Sequence, residues 1–149
     1  WLRFSATLIL RGDLPAADRE LVTLRTAWRC GSWYEWAQHA RLARRAGLGD
    51  DDVARVANGA AAPGWAPRQR LLLRATDELH DVRVISDHTW RALAAELTDR
   101  QLIELVGFAR RSERLQPLVQ LEHAGQQEGR GGHRGLREEG AGLHRGGVM

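Results

Sequence analysis

The sequence contains one cysteine, Cys30, among its 149 residues. A single thiol excludes a disulfide within the chain and a zinc site built from several cysteines. It also suits a reducing compartment, so we expect a cytoplasmic protein. No apolar run approaches the roughly 18 residues that a membrane-spanning helix needs, and none is expected. Because the chain begins with Trp1 rather than Met, we expect its N-terminus to be incomplete, and a preceding targeting segment stays open.

Lysine is missing altogether, and all 22 basic residues are arginine. This bias indicates a GC-rich coding sequence more than a binding surface. The 19 acidic residues offset most of the charge and leave a net charge of +3. Nucleic-acid binding is therefore not predicted from charge. The one feature that favours RNA is an RGG-like patch, "GRGGHRG", near the end of the chain.

Two-residue alternation of apolar and polar side chains is also missing, so strands are not predicted. Apolar residues instead recur at helical spacing, for example Leu21, Leu24 and Trp28. The hydrophobic content of 43% is enough to bury a core in one domain of ordinary size. We therefore predict an all-α fold, a compact helical bundle.

Capping and helix-breaking residues in the sequence predict where the helices of this bundle begin and end. Pro15 suits a first helical position, and the helix that it begins runs to about Cys30. Ser32 opens "SWYE", an S-x-x-E capping box, and Gly47 ends the helix that follows. The remaining helices are predicted over residues 1–10 (the end of a first helix), 50–59, 68–81, 87–97 and 99–109.

The chain changes character after about residue 110. We predict a helical domain over residues 1–110 and a degraded last helix, interrupted by Pro117, over 111–124. Residues 125–149 are rich in glycine and arginine and have almost no apolar period, so we predict a disordered tail. A natural tail and the product of a shifted reading frame both fit this composition, and the sequence does not decide between them.

His39 and Glu20 are the first candidate site residues. His39 lies beside an apolar stripe, where an imidazole is either a satisfied core residue or a group that transfers protons near neutral pH. Glu20 is either an acid that stabilises the helix N-terminus or a carboxylate that faces His39 across the helix pair. In the second case the pair forms a proton relay, because the carboxylate fixes the tautomer of the imidazole.

Further candidates lie close by in the sequence. Glu35 either completes the capping box at the Ser32 amide or adds a second carboxylate one turn before His39. Cys30, next to Arg29, is either a small buried hydrophobe or a thiol whose pKa is lowered by a cation or a helix N-terminus.

Tryptophan is plentiful, with six in the chain. Trp33 and Trp36 flank the capping box, in positions suited to a pocket wall, a subunit interface or the core. We expect a core role rather than stacking on a substrate.

Glu20 followed by "CGSWYEWAQH" resembles the carboxymuconolactone decarboxylase and alkylhydroperoxidase D-like superfamily. The similarity covers roughly residues 1–106, including "LRGDLPAADRELVTLRTAWRCGSWYEWAQHARLARRAGL" and "PRQRLLLRATDELHD". It implies a helical bundle of the alkylhydroperoxidase D-like type that forms homo-oligomers, commonly trimers or hexamers, with sites near subunit contacts. We predict a small-molecule substrate, and no metal, cofactor or membrane contact.

The hydroperoxidase branch carries a Glu, then C-x-x-C, then a His four residues after the second Cys. Glu20 and His39 match the acid and the histidine, whereas Ser32 and Glu35 fall at the two cysteine positions. Cys30 lies two residues before the first of them. A thiolate must attack the peroxide and a second thiol must resolve the sulfenic acid, and neither Ser nor Glu can do this. The two-cysteine mechanism is therefore not predicted.

The decarboxylase branch implies proton transfer on a small carboxylated or lactone substrate. Glu20, His39 and Glu35 are predicted as catalytic, and Ser32, Cys30 and Arg29 as supporting. Arg25 and Arg29 could bind a substrate carboxylate, although solvated surface arginines are the simpler interpretation. Two alternatives stay open: peroxidase activity of the antioxidant type through Cys30 with an external thiol, and a helical module whose site has decayed.

Overall fold

The computed structural model of the chain describes residues 12–110. Every regular element in this range is a helix, which confirms the prediction of an all-α bundle. The helices are α1 (Ala16–Arg29), α2 (Trp33–Arg45), α3 (Asp50–Val56), α4 (Pro67–Val82), α5 (Asp87–Ala94) and α6 (residues 99–110). The helix predicted within residues 1–10, the degraded helix over 111–124 and the tail over 125–149 lie outside the described residues.

Helix α1 is the central element, because residues 21–27 are all buried and the helix packs against both α2 and α4. Fully buried leucines from four helices meet around it, and each is worth about 1.5–3 kcal/mol relative to an exposed side chain. They are Leu21, Leu24, Leu72, Leu73, Leu93 and Leu105. No helix between residues 12 and 110 is both long enough and apolar enough to cross a bilayer.

The start of α1 is fixed by α6. Pro15 is the residue before the first helical turn, one position earlier than predicted, and it offers no side-chain cap. The buried carboxylate of Glu104 instead accepts the backbone N–H groups of Asp13, at 3.0 Å, and Leu14, at 2.7 Å. The amide of Gln101 donates to the Asp13 carbonyl at 3.0 Å. These bonds set the position of α1 and of every side chain that it carries.

The break between α1 and α2 is a Schellman motif. Gly31 has a φ of 68°, in the left-handed region that glycine adopts without a Cβ clash. Its N–H donates to the Trp28 carbonyl at 3.1 Å, and the Ser32 N–H donates to the Ala27 carbonyl at 2.9 Å. The Ser32 hydroxyl then accepts the Glu35 N–H at 3.4 Å and begins α2. The chain therefore reverses within three residues, and α2 returns antiparallel to α1.

Helices α1 and α4 run parallel, because their contacting residues keep a nearly constant separation along the chain. Three ion pairs join them at separations of 50 to 52 residues. The pairs are Asp18–Arg68, Arg25–Asp77 and Arg29–Asp81. We call them the α1–α4 ladder.

Candidate functional site

Glu20 and His39 meet across the α1–α2 pair. Their closest atoms, Glu20 Oε2 and His39 Nδ1, are 2.7 Å apart. The carboxylate side chain is 14% exposed and the imidazole 27%, so the pair lies at the edge of the core with access to solvent. An ionised carboxylate at this distance requires a proton on Nδ1. The other ring nitrogen, Nε2, is then the atom that can accept or donate a proton towards a reactant.

The helix pair brings these side chains together because its inner face is apolar. Leu24 lies one turn after Glu20, and Ala40 and Ala43 lie beside and one turn after His39; all three are buried. Alanine keeps the two helix axes close at this point, because interaxial distance depends on the side chains in contact. The contact expected between Glu20 and His39 is therefore present in the fold, while the catalytic roles of both residues stay predictions.

Ser32 and Glu35 hold the start of α2. Both are buried, with 4% and 7% of their surfaces exposed. The Ser32 hydroxyl caps the helix as predicted. Its amide donates to the Ala27 carbonyl, so the turn satisfies this group without the Glu35 carboxylate. Glu35 thus lies one turn before His39 on the same helix, and its role as a second carboxylate stays a prediction.

Cys30 lies at the C-terminus of α1 rather than at the start of α2. Its sulfur is 3.9 Å from Nδ1 of His80 on α4. Ten residues of helix separate Cys30 from Glu20, about 15 Å along the axis. The thiol and the Glu20–His39 pair are therefore separate places. Sequence reasoning missed His80, and the available signal was its position in the last turn of a helix that follows α1 with a constant offset.

The two candidate arginines of α1 are engaged by the protein. Arg25 is 7% exposed, and its guanidinium binds both oxygens of Asp77 at 2.6 and 3.1 Å. It also donates to the carbonyls of Val56 and Ala57. Arg25 is therefore a structural residue and not a ligand for a substrate carboxylate. Arg29 contacts Asp81 and lies 3.6 Å from Asp77, so its supporting role stays a prediction.

An aromatic cluster lies at the end of the α1–α2 pair where the Gly31 turn joins the two helices. The ring of Trp28 lies 5.5 Å from that of Trp33, edge to face, and 5.4 Å from that of Trp36. Trp33 is 66% exposed and the neighbouring Tyr34 is 48% exposed. The expected core role is thus wrong for Trp33, because its position in the first turn of α2 points it outwards, whereas Trp36 packs against the core.

A cavity of about 750 Å³ lies on the α4 side of α1. Its walls come from α4, from residues 58–61 and from Arg25 of α1, and they include neither Glu20 nor His39. This cavity and the Glu20–His39 pair are therefore different sites. Within residues 12–110, no group of three or more His, Cys, Asp or Glu side chains is placed to hold a metal ion.

Comparisons with known proteins bear on the fold and the family of the chain. No curated protein matches the sequence. The fold is similar to that of a protein of unknown function from Agrobacterium tumefaciens, described as a candidate antioxidant defence protein AhpD. That similarity has a TM-score of 0.69 and 16% identity, and it covers 78% of this chain and 85% of the other. The profile of the carboxymuconolactone decarboxylase family matches residues 1–78, which include α1, α2 and the Glu20–His39 pair. The chain belongs to the carboxymuconolactone decarboxylase family.

Proposed function

We propose that the protein catalyses proton transfer on a small carboxylated or lactone substrate, in the manner of a carboxymuconolactone decarboxylase, with His39 as the proton carrier and Glu20 as its orienting group. The observation that carries this proposal is the 2.7 Å contact between Glu20 Oε2 and His39 Nδ1 in a partly exposed position. Membership of the decarboxylase family supports it.

The proposed reaction needs only one proton carrier. The bond between the substrate and its carboxylate carbon breaks, carbon dioxide leaves, and the electron pair stays on the substrate as an enolate. Nε2 of protonated His39 delivers a proton to the enolate carbon, and the ring recovers a proton from solvent. Glu20 stabilises the imidazolium and holds the ring in one orientation. Such general acid catalysis is typically worth about 10²–10⁴-fold in rate.

The test uses carboxymuconolactone and related lactone acids with the full chain. We expect His39→Ala to lower kcat by about 10²–10⁴-fold, since no other group in the pair can deliver the proton. Glu20→Gln keeps a hydrogen-bonding side chain but removes the charge, so we expect a smaller loss. The matched control is His88→Ala, which removes an exposed imidazole from α5 and should leave turnover unchanged.

Two results would contradict the proposal. Equal turnover in the wild type and His39→Ala would remove His39 from the mechanism. The absence of turnover on every lactone acid, together with no thiol reactivity, would instead favour a helical module whose site has decayed.

A second candidate function is a one-cysteine peroxidase of the antioxidant type. The 3.9 Å contact between Cys30 Sγ and His80 Nδ1 favours it, because an imidazole beside a thiol can take its proton. The Cys30 thiolate would attack the peroxide, forming a sulfenic acid and releasing an alcohol or water. An external thiol would then reduce the sulfenic acid through a mixed disulfide.

Peroxide titration separates this candidate from the first. We expect the thiol of a peroxidase to react much faster than free cysteine, and His80→Ala to slow the reaction while His39→Ala leaves it unchanged. Cys30→Ser is the blank. A thiol that reacts no faster than free cysteine would exclude the peroxidase and leave the decarboxylase proposal untouched.

We also propose that the protein forms a homo-oligomer, a trimer or a hexamer. The exposed aromatic side chains of the α1–α2 pair support this, because monomers rarely expose contiguous large apolar groups. Light scattering of the full chain would measure the mass, and we expect Trp33→Glu to shift it towards the monomer. A wild type that stays monomeric at high concentration would contradict this proposal.

A further inference from the structure

The cavity on the α4 side of α1 contains six charged side chains that differ in what they already bind. Three are arginines, Arg25, Arg70 and Arg74, and three are acids, Asp77, Glu78 and Asp81. Ala60, Ala61 and Val82 supply apolar wall, and Asn58 supplies an amide. A volume of about 750 Å³ lies in the range that holds small organic ligands. The ligand it suits depends on which charges remain available.

The acids are all engaged by the protein. Both oxygens of Asp77 accept from Arg25, and Asp81 contacts Arg29. The two oxygens of Glu78 accept the Ser86 N–H, the Ser86 hydroxyl and the Thr89 hydroxyl at 2.8 to 3.1 Å. Asp77 and Glu78 therefore direct their hydrogen bonds into the fold and towards the start of α5, whereas Asp81 is about half exposed and contacts Arg29 through one oxygen.

The other two arginines of the cavity, Arg70 and Arg74, differ from Arg25. Both are exposed; Arg70 forms no hydrogen bond or ion pair with a described residue, and Arg74 acts on the neighbouring Glu78 through its charge alone. They lie four residues apart on α4, so their Cβ atoms are neighbours on one helix face, about 6 Å apart. Like charges at this spacing repel each other. An anion between the two guanidinium groups would relieve that repulsion and could accept from both forks.

The opposite wall is rigid. The Gly59 carbonyl accepts the buried indole N–H of Trp65 at 3.0 Å, which fixes residues 58–61. Gly59 has a φ of 71°, and a Cβ at this position would lie 2.7 Å from Arg25 Nη2. The Arg25–Asp77 pair therefore packs directly beneath this wall. This wall needs no reordering when a ligand binds, which limits the entropy cost of binding to the side chains of the exposed arginines.

We infer that this cavity is a second binding site, separate from the Glu20–His39 pair, for a small organic anion. Its carboxylate or phosphate group is held by Arg70 and Arg74. Its small uncharged body lies against Ala60, Ala61 and Val82. The site is independent of the proposed proton-transfer reaction, since none of these residues takes part in it.

Calorimetric titration of the full chain at low ionic strength tests this inference. The probes are benzoate, phenyl phosphate and inorganic phosphate. We expect benzoate or phenyl phosphate to bind at least about tenfold more tightly than inorganic phosphate, because only the organic probes place a body against the apolar wall. The preferred organic probe tells whether the anionic group is a carboxylate or a phosphate.

Three variants define the site. The double variant Arg70→Gln with Arg74→Gln should weaken the preferred probe by at least about tenfold, because it removes both charged forks. Arg41→Gln with Arg45→Gln is the matched control, since it changes the same charge at the same spacing on the exposed face of α2. It should bind as the wild type does. Ala61→Phe fills the cavity while it keeps both arginines, and it should also abolish binding.

Each other outcome overturns the inference. Equal weakening in the control pair would show attraction to arginine charge in general. Undiminished binding to Ala61→Phe would show that the anion does not occupy the cavity. If none of the three probes binds at millimolar concentration, the cavity is not an anion site.

Discussion

The two sides of α1 use ionisable side chains in different ways. Towards α4, the ladder joins guanidinium and carboxylate groups whose hydrogen bonds are consumed within the fold, as at Arg25 and Asp77. Towards α2, a single carboxylate holds one nitrogen of an imidazole and leaves the other available. Charge alone therefore does not mark a site for chemistry. The two sides differ because the imidazole of His39 keeps one ring nitrogen for a hydrogen bond to a reactant, whereas the groups of the ladder bind each other.

Removal of Arg25 should have the largest effect on stability. Arg25→Ala leaves the Asp77 carboxylate without its main partner and removes one donor each from the Val56 and Ala57 carbonyls, so we expect a loss of about 3 kcal/mol or more in the free energy of unfolding. Urea denaturation measures it. Arg29→Ala, one turn later in the same ladder, is the control, and its more exposed pair should contribute about 1 kcal/mol or less. Equal losses in the two variants would show that the burial and extra hydrogen bonds of Arg25 add nothing to its contribution.

Glu104 is a buried carboxylate outside the proposed reaction, and its removal extends the comparison to a structural acid. Glu104→Gln places an amide donor against the N–H groups of Asp13 and Leu14, so at least one of them loses its acceptor. We expect a loss of about 1–3 kcal/mol in the free energy of unfolding. Glu96→Gln makes the same change at an exposed carboxylate and should stay within about 0.5 kcal/mol of the wild type. A neutral Glu104→Gln would show that α1 starts correctly without this anchor.

The contribution of Glu104 to stability should also depend on pH in the acidic range. Burial raises the pKa of Glu104, but hydrogen bonds from the Leu14 and Asp13 N–H groups and from Arg100 outweigh it and hold the pKa below its ordinary value. A pKa lower in the folded state contributes stability above the unfolded pKa of about 4.3. That contribution is lost as the pH falls through the folded pKa.

We therefore expect the stability difference between the wild type and Glu104→Gln to be largest near pH 7 and to shrink as the pH falls below about 4. Denaturation curves at several pH values from neutral pH to well below the ordinary pKa of glutamate measure it. A difference that is the same at neutral and acidic pH would exclude the carboxylate charge as its cause.

Removal of His39 should have the smallest effect on stability. Because the Glu20–His39 pair lies at the edge of the core, His39→Ala should change the free energy of unfolding by about 1 kcal/mol or less. Thermal or urea denaturation of the variant used for the activity assay gives this value. A loss as large as that of Arg25→Ala would place the pair among the structural contacts.

Much of the fold was predictable because local signals decided it. The glycines that end helices have positive φ values at residues 31, 47 and 59, and Ser32 caps α2 as expected. The contact between Glu20 and His39 followed from two short helices joined by a tight turn. These features depend on neighbours in sequence, so a single sequence carries them.

The rest depended on packing between distant segments. The contact of Cys30 with His80, the engagement of Arg25 and the anchoring of α1 by Glu104 each join residues at least 50 positions apart. An exposed Trp33 also could not be read from periodicity, because the first turn of a helix can project beyond the core. The parallel offset of α1 and α4 is set by the tertiary arrangement and has no local signature.

Because the turn at Gly31 is short, the contact between Glu20 and His39 depends on how far α2 is rotated about its own axis. One alanine inserted after Ser32 would turn α2 by about 100° relative to its cap and advance it by about 1.5 Å, which carries the imidazole away from the carboxylate. An insertion of four residues nearly restores the rotation of α2 but moves His39 about 6 Å further along the helix axis. The length of this turn is therefore as much a part of the candidate site as the two side chains.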